Sequence, residues 1–410
     1  MRLTICALLS LVCMSAPEAF TLPAPTGSYH VGTTSWHVTA SSRREVFTDG
    51  KTAREVEVVA WYPTDVRTGT TAPYLRDSLA EVRTFASLLK PENAFDALAE
   101  VKTHAILDAA PRATGAKFPI LLFSHGYTAA PSGYTAVLED LASHGYAVLS
   151  VVHPYESTAA TLANGNVVAM LDANGAFLPT TQAVFAEWGP EDATLAAVTR
   201  TADPTEQRAR LRAYISKMPK TDLALRRWVD DELMVMSDVA LWTGASTNAR
   251  DRLTARIDLG RVGVFGHSMG GVTAAQVCAE ARWCQAALNL DGSPQYGPMI
   301  DTKMPQGTSK PMLMVYSARD GRMGASDAIY RNAASKYIRV DVAGTKHLDF
   351  SDMTFWGGPL RARPILGTIA PDRVTDVTRT IVREYFDQEI LGRPSPLLNG
   401  RVRMAEVTVR

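Results

Sequence analysis

The feature that most restricts the fold of this chain is a glycine-rich segment between an apolar strand and a helix. The segment GHSMGG at 266–271 directly follows the run RVGVF at 261–265 and precedes the helical pattern VTAAQVCAEA. A strand-to-helix turn this tight leaves its central residue in a strained backbone conformation, and the glycines permit close approach of neighbouring backbone. Ser268 is therefore predicted to present its hydroxyl at the turn, where it is a candidate nucleophile.

Apolar runs alternate with helical patterns along much of the chain. The continuous apolar runs FPILLF (118–123) and YAVLSVV (146–152) are typical of strands buried on both faces of a parallel sheet. Further strands are predicted at 28–40, 55–63, 261–265, 285–290, 311–316 and 337–342, and helices at 79–89, 133–143, 222–242, 269–281, 324–336 and 371–390. Strands separated by helices indicate an α/β protein with a mostly parallel central sheet. We expect one domain over 20–410, with cap insertions at about 64–117 and 155–221.

A serine hydroxyl is a poor nucleophile until a base removes its proton. His267 directly precedes the serine, and His347 is the only histidine that follows Ser268 in the chain. His347 lies just past the predicted strand YIRVDV, in the segment AGTKHLDF. In triads built on such a turn the order along the chain is serine, acid, histidine. His347 is therefore predicted to be the general base.

The acid that orients this base has two candidates. Asp291 ends the predicted strand AALNL, and Asp320 follows the strand PMLMVY. Both are expected at the carboxyl ends of sheet strands, where the ligand sites of open parallel sheets form. Asp349 and Asp352 lie too close to His347 in sequence to be first choices. The residues alone leave Asp291 and Asp320 as alternatives.

Acyl transfer also needs hydrogen-bond donors for the oxyanion that develops on the substrate. One donor is expected to be the backbone N–H of Met269, directly after the nucleophile. The other is expected in the segment SHGY at 124–127, which follows the strand FPILLF, and Tyr127 N–H is the candidate. His125, in the same segment, is predicted to be structural rather than catalytic.

The N-terminus has the pattern of an export signal. Arg2 is followed by an apolar run, and Ala16 and Ala19 are small residues suited to a cleavage site. Residues 1–19 are therefore predicted to be a signal peptide, and the mature protein to be secreted or periplasmic. Of the cysteines, Cys278 and Cys284 would remain, and the sequence leaves open whether they form a disulfide.

The balance of charges and the distribution of metal-binding residue types restrict the partners that this chain is expected to bind. The chain has 42 basic and 42 acidic side chains, a balance that argues against nucleic-acid binding. No CxxC pair or histidine cluster accompanies the cysteines, so no metal is expected. No organic cofactor is expected either.

Four sequence blocks resemble the plasma-type (isoform II) platelet-activating-factor acetylhydrolase family and its bacterial relatives, which have the α/β-hydrolase fold. The blocks are FSHGYTAAPSGYTAVLEDLASHGYAVLSVVHP, GHSMGG, AALNLDG and HLDFSD. The resemblance implies a calcium-independent serine esterase that removes short or oxidised acyl chains from the sn-2 position of phospholipids. It favours Asp291 over Asp320 as the acid and agrees with Tyr127 as the oxyanion donor. The expected partners are thus an ester or phospholipid substrate and a lipid surface.

Two alternatives remain beside this reading. The segment VVHPYES at 151–157 departs from the more charged stretch of the animal enzymes, which leaves the phospholipid substrate open. The first alternative is a general secreted esterase, cutinase-like or dienelactone-hydrolase-like, that acts on small or polymeric esters. The second is a protein of the same fold that only binds a ligand, although such a protein has no use for an activated serine.

Overall fold

The structure is a computed structural model that describes residues 20–76, 80–89, 95–188, 201, 203–242, 248–292, 308–318, 327–356 and 365–410. Its strands are β1 (His30–Arg44), β2 (Ala53–Thr64), β3 (Thr71–Pro73), β4 (Lys102–Leu107), β5 (Phe118–Ser124), β6 (Ala147–Val152), β7 (Ala160–Thr161), β8 (Val167–Val168), β9 (Ile257–His267), β10 (Cys284–Leu290), β11 (Pro311–Ser317), β12 (Lys336–Val342) and β13 (Val407–Val409). Its α-helices are α1 (Ala80–Leu89), α2 (Thr135–Ser143), α3 (Pro179–Glu187), α4 (Pro204–Ile215), α5 (Pro219–Leu241), α6 (Ala249–Thr254), α7 (Met269–Glu280), α8 (Asp327–Ala333) and α9 (Pro371–Leu391).

One large twisted sheet organises the molecule, in the strand order β13-β12-β11-β10-β9-β5-β6-β2-β1-β4-β3. From β12 to β6 all neighbours are parallel, and β2, β1 and β13 add antiparallel pairs at the two sides. Every residue of β5 and of β6 is buried, as their unbroken apolar sequences predicted. The parallel strands end at one edge, which is where the residues singled out in the sequence lie.

Helices cover both faces of the sheet. On one face α2 packs over β2 and β6 and α9 packs over β9 and β10, through side chains such as Leu138, Ile381 and Phe386. On the other face α7 packs over β9, β10 and β5, and α5 packs against α7, so that Trp228 and Val272 are buried. The buried positions of α9 include Val374, Val377, Ile381 and Tyr385, which recur every three or four residues and so form one apolar stripe.

The two segments predicted as insertions differ in structure. Part of 64–117 forms β3 and β4, which extend the main sheet at its edge and were not predicted as strands. The alternating burial of β4 is that of a strand with one covered face. Part of 155–221 forms the small hairpin of β7 and β8 together with α3 and α4. The short strand β13 was also not predicted.

Residues 1–19, predicted as a signal peptide, lie outside the described residues. Among the residues that are described, no helix combines the length and apolar character needed to cross a membrane.

Cys278 and Cys284 form a disulfide, with their Cα atoms 5.1 Å apart. The six-residue spacing does not suit a continuous helix, and α7 indeed ends at Glu280, between the two cysteines. The bridge therefore joins the end of α7 to the start of β10, which is the strand that leads to Asp291.

Candidate active site

Ser268 occupies the sharp turn between β9 and α7. Its backbone angles, φ 58° and ψ −126°, lie in a region that residues with a side chain rarely adopt. The neighbouring glycines make this turn possible. A Cβ on Gly266 would lie 2.3 Å from the backbone of Gly270, and one on Gly270 would lie 2.1 Å from the Ser124 carbonyl oxygen. The turn thus needs glycine on both sides of the serine, as the sequence indicated.

His347 and Asp291 are brought to Ser268 from separate strands. His347 begins a 3-10 turn after β12, and its Nε2 lies 2.8 Å from Ser268 Oγ. Its other ring nitrogen, Nδ1, lies 2.7 Å from Asp291 Oδ2. The carboxylate can only accept, so Nδ1 carries the proton and Nε2 is free to accept the serine proton. This is the arrangement that nucleophilic catalysis by serine requires.

The Asp291 carboxylate is held in place by the end of the neighbouring strand. Ser317 N–H donates to Asp291 Oδ1 and Ser317 Oγ donates to Oδ2, both at 2.9 Å. Asp291 is only 2% exposed and has a positive φ of 54°, which turns the chain directly after β10. Asp320, the alternative acid, lies outside the described residues.

The two acidic residues after His347 hold the loop in which it lies. Asp349 Oδ2 accepts hydrogen bonds from Lys346 N–H at 2.7 Å and from Gly367 N–H at 2.6 Å. Asp352 is buried beneath the loop, where Ala136 N–H and Tyr74 Oη donate to it. Burial raises the pKa of Asp352 to about 8, so this carboxyl is protonated at neutral pH.

The segment predicted to supply an oxyanion donor lies against the serine. A Cβ on Gly126 would be 3.3 Å from Ser268 Cβ, which shows how closely the loop approaches. The Gly126 carbonyl accepts from Ala129 N–H at 2.9 Å and from His125 Nδ1 at 2.8 Å, so the peptide that carries Tyr127 N–H is held in one orientation. Met269 begins α7, and its N–H therefore has no acceptor within the helix.

His125 is a structural residue of this loop. Burial, reinforced by the neighbouring His153, lowers the pKa of His125 to about 3, so its ring is neutral. The ring packs edge-on against His153 and Trp228.

A buried polar network that the sequence did not reveal supports the loop from behind. Ser124 Oγ lies 3.0 Å from His153 Nε2, and His153 Nδ1 lies 2.9 Å from Asp231 Oδ2. Arg54 binds Asp231 through two nitrogens, at 3.2 and 2.6 Å, and Glu45 at 2.7 Å. Ser124, His153 and Asp231 are fully buried and Arg54 is 1% exposed, so this serine-histidine-aspartate series is closed to substrate. The network anchors the end of β5, from which the segment 124–127 leaves.

Arg54→Met is expected to lower the free energy of unfolding by about 3–5 kcal/mol, because Asp231 and Glu45 would stay buried without their main counter-charge. Burial alone would raise the pKa of Asp231, but the charge of Arg54 and the hydrogen bonds from His153 and Arg54 hold it well below its usual range. Stability from this shift is therefore complete above the unfolded pKa of about 4 and declines as pH falls below it. Urea unfolding at pH 7 and pH 3.5 measures both effects.

Arg43→Met is the matched control for that experiment. Arg43 binds the same carboxylate at 2.8 Å, but its side chain is 27% exposed. Its loss should cost about 1 kcal/mol or less. Equal losses in the two variants would contradict the importance assigned to the buried arginine.

Aromatic side chains form a wall beside the loop. The Tyr127 ring packs against Phe185 and Trp188 of the segment 179–188, with ring centroids 5.8 and 5.5 Å apart, and against Trp228 of α5 at 5.8 Å. The backbone amide of Tyr127, whose ring forms part of this wall, is the expected oxyanion donor.

A separate cavity of about 820 Å³ lies beside the hairpin of β7 and β8. The described residues that line this cavity belong to α1 and to the hairpin region, and they also include Phe47 and Tyr155, which stack on each other. The serine, histidine and aspartate described above do not contribute to this lining. In the parts of the chain described here, no group of three or more metal-binding side chains is found.

Comparison with known proteins adds a family and a structural neighbour. The sequence profile of the family "Platelet-activating factor acetylhydrolase, isoform II" matches residues 14–381. The chain is 26% identical over 290 residues to platelet-activating factor acetylhydrolase from Cavia porcellus, covering 67% of this chain and 59% of that protein. It is 24% identical over 277 residues to the protein of the same name from Gallus gallus, covering 64% of this chain and 60% of that one. The chain thus spans less than two thirds of these relatives.

Among solved structures, a ferulic acid esterase from Streptomyces cinnamoneus is similar to this chain with a TM-score of 0.69 and 28% identity. The match covers 95% of this chain and 98% of that one. The expected α/β-hydrolase fold is thereby confirmed. The family and the neighbour also agree on the general chemistry, which is carboxylic ester hydrolysis.

Proposed function

Because this chain belongs to the platelet-activating factor acetylhydrolase, isoform II family, we propose that it is a serine esterase that works through an acyl-enzyme on Ser268. The observation that carries the proposal is the hydrogen-bonded series of Ser268, His347 and Asp291, at 2.8 and 2.7 Å. A nucleophile, a base and an orienting acid in this order can activate a hydroxyl at neutral pH.

In the first half-reaction Ser268 Oγ attacks the ester carbonyl while His347 Nε2 takes its proton. The carbonyl oxygen becomes an oxyanion, which accepts hydrogen bonds from the backbone N–H groups of Tyr127 and Met269. When the bond to the alcohol oxygen breaks, His347 gives the proton to the leaving alcohol. Ser268 then carries the acyl group, and the imidazole is neutral again.

Water completes the reaction in the second half-reaction. It attacks the acyl carbonyl as His347 accepts one of its protons, and the same two amides hold the new oxyanion. The bond to Ser268 Oγ breaks, the serine regains its proton from His347, and the carboxylic acid leaves. Asp291 keeps the imidazole in the required tautomer and stabilises its protonated form throughout.

For the substrate, we propose phospholipids with a short sn-2 acyl chain. The names of the relatives from Cavia porcellus and Gallus gallus support this choice. The proposal includes export, by cleavage of the signal peptide predicted at 1–19, and contact with lipid surfaces. The disulfide between Cys278 and Cys284 supports export, because disulfides persist in oxidising compartments.

Esters of aromatic acids are a second candidate substrate class. The structural neighbour named as a ferulic acid esterase matches nearly the whole of both chains. The aromatic wall of Tyr127, Phe185 and Trp188 beside the expected oxyanion donor offers ring contacts to an aromatic acyl group.

The test is hydrolysis of one substrate panel by the purified protein in EDTA. The panel contains p-nitrophenyl esters from acetyl to palmitoyl, a phosphatidylcholine with a short sn-2 chain, and methyl ferulate. We expect release of the sn-2 acid, and p-nitrophenyl esters whose kcat/KM falls as the acyl chain lengthens.

Each of the other possible results on this panel would favour a different function. Rapid cleavage of methyl ferulate without cleavage of the phospholipid would support the aromatic-ester candidate. Cleavage of the p-nitrophenyl esters alone would indicate a general secreted esterase. Absence of turnover on the whole panel would contradict the enzyme proposal and favour a ligand-binding protein of this fold.

A further inference from the structure

Three consecutive hydrogen bonds connect the segment 124–127, which carries the expected oxyanion donor, to the general base His347. Gly126 N–H donates to Tyr134 Oη at 3.0 Å, and Tyr134 Oη lies 2.9 Å from His267 Nδ1. His267 Nε2 lies 2.8 Å from the backbone carbonyl oxygen of His347. These hydrogen bonds therefore run from the backbone N–H of Gly126, past the nucleophile Ser268, to the backbone carbonyl of the general base His347.

For a neutral His267 ring, the position of every proton in this series follows from the donors and acceptors at its ends. The His347 carbonyl can only accept, so His267 Nε2 carries a proton. The Gly126 amide can only donate, so the Tyr134 oxygen accepts from it. The tyrosine proton is then left for His267 Nδ1, which is unprotonated in a neutral ring. Burial raises the pKa of Tyr134, which keeps the phenol protonated and able to donate.

The hydroxyl of Tyr134 links the backbone N–H of Gly126 to the ring of His267. A Cβ on Gly126 would lie 3.1 Å from Tyr134 Oη, 3.2 Å from His267 Nδ1 and 3.3 Å from Ser268 Cβ, so the three groups close around the loop. The rings of His267 and His347 are 4.5 Å apart, and Tyr134 is 2% exposed. A shift at either end would therefore be passed to the other through packed, hydrogen-bonded groups.

We propose that Tyr134 is a positioning residue, whose hydroxyl, acting through His267, fixes the Tyr127 oxyanion donor relative to the general base His347. The two groups must be placed correctly at the same moment, because the oxyanion forms as the base takes the proton. The interaction then matters in the transition state and little in substrate binding. The inference rests on the proposed serine mechanism.

The test is the Tyr134→Phe variant, which removes one oxygen atom and keeps the ring. With p-nitrophenyl acetate we expect kcat to fall by about 10- to 100-fold and KM to change by less than about twofold. A trifluoromethyl ketone, which adds to the serine as a tetrahedral oxyanion, should bind more weakly by the factor lost in kcat/KM. A role in stability alone would not weaken this inhibitor selectively.

Tyr62→Phe is the matched control. Tyr62 is also fully buried, and its hydroxyl donates one hydrogen bond, to the Ala109 carbonyl at 2.8 Å. It lies near the end of β2 where Trp61 pairs with Val148, away from the edge where the parallel strands end. We expect kcat and inhibitor affinity of this variant to equal those of the wild type.

A second variant, His267→Gln, tests the path. If Tyr134 acts through His267, the double variant loses no more activity than the more damaged single variant. Losses of activity that multiply in the double variant would overturn the inference. So would a Tyr134→Phe variant that behaves like Tyr62→Phe, or one in which KM alone changes. These outcomes concern Tyr134 alone. A wild-type protein without esterase activity, or an active Ser268→Ala variant, would instead contradict the proposed function.

Discussion

Ser268→Ala is expected to lower kcat for p-nitrophenyl acetate by about 10⁴- to 10⁶-fold, the largest effect of any single substitution proposed here. The reason is geometric. Ser268 Oγ lies 2.8 Å from His347 Nε2, at the turn between β9 and α7. Alanine removes the nucleophile while fitting the same turn. The measurement is steady-state turnover, together with a fluorophosphonate probe that should label the wild type at this residue and leave the variant unlabelled.

Ser395→Ala provides the comparison. Ser395 is fully buried and donates a hydrogen bond to Glu384 Oε2 at 2.9 Å, so its loss also removes one buried serine hydroxyl. It follows α9, far along the chain from the turn, and its variant should keep wild-type kcat. Circular dichroism of both variants verifies folding. A Ser268→Ala protein that is folded and retains a tenth or more of the activity would rule out the acyl-serine mechanism.

Local patterns explain why much of the fold and part of the candidate site could be predicted from the sequence. The unbroken apolar run at 118–123 indicated a buried strand, and β5 is buried along its whole length. The glycines around Ser268 indicated a turn in which a Cβ would collide with backbone, as the 2.1 Å approach at Gly270 shows. The position of His347 after its strand needed only the order of elements along the chain.

The rest depends on contacts between distant parts of the chain, which carry no local pattern. His153 and Asp231 are 78 residues apart, and Arg54 reaches Asp231 across 177 residues. Nothing near any of these three residues signals that they meet. The same holds for Tyr134, which joins Gly126 to His267 only once its ring is packed against Phe123 of β5. The edge strands β3 and β13, and β4 beside β3, are short, and a few residues of alternating burial give too little periodicity to recognise.

The sequence and the structure contribute differently to the identification of the acid that orients His347. Asp291 and Asp320 both follow strands and both precede His347, so chain order does not distinguish them. In the structure Asp291 Oδ2 lies 2.7 Å from His347 Nδ1, and Ser317 donates to both of its oxygens. These contacts support Asp291 as the proposed acid.

Asp291→Asn is therefore expected to lower kcat by about 10⁴-fold with little change in KM. An asparagine can keep the hydrogen bond from Ser317 N–H by placing its carbonyl oxygen at the position of Oδ1, but its NH₂ group then replaces Oδ2 and faces His347. A donor in that position favours the tautomer with Nδ1 unprotonated and the proton on Nε2. The ring can then no longer accept the proton of Ser268, although the side chains keep their places. Steady-state kinetics at pH 7–8 measures the loss.

Asp320→Asn is the control that separates the two acids, since it makes the same isosteric change in the other candidate. If Asp291 orients the base, the Asp320→Asn variant keeps kcat within about threefold of the wild type, because no tautomer of His347 depends on it. A 10⁴-fold loss in Asp320→Asn with activity preserved in Asp291→Asn would transfer the role to Asp320. In that case the hydrogen bond from His347 to Asp291 would belong to a resting arrangement that rearranges before the serine attacks. Comparable losses in both variants would mean that the two carboxylates act on the imidazole together, which a double variant would reveal by losing no more than either single one.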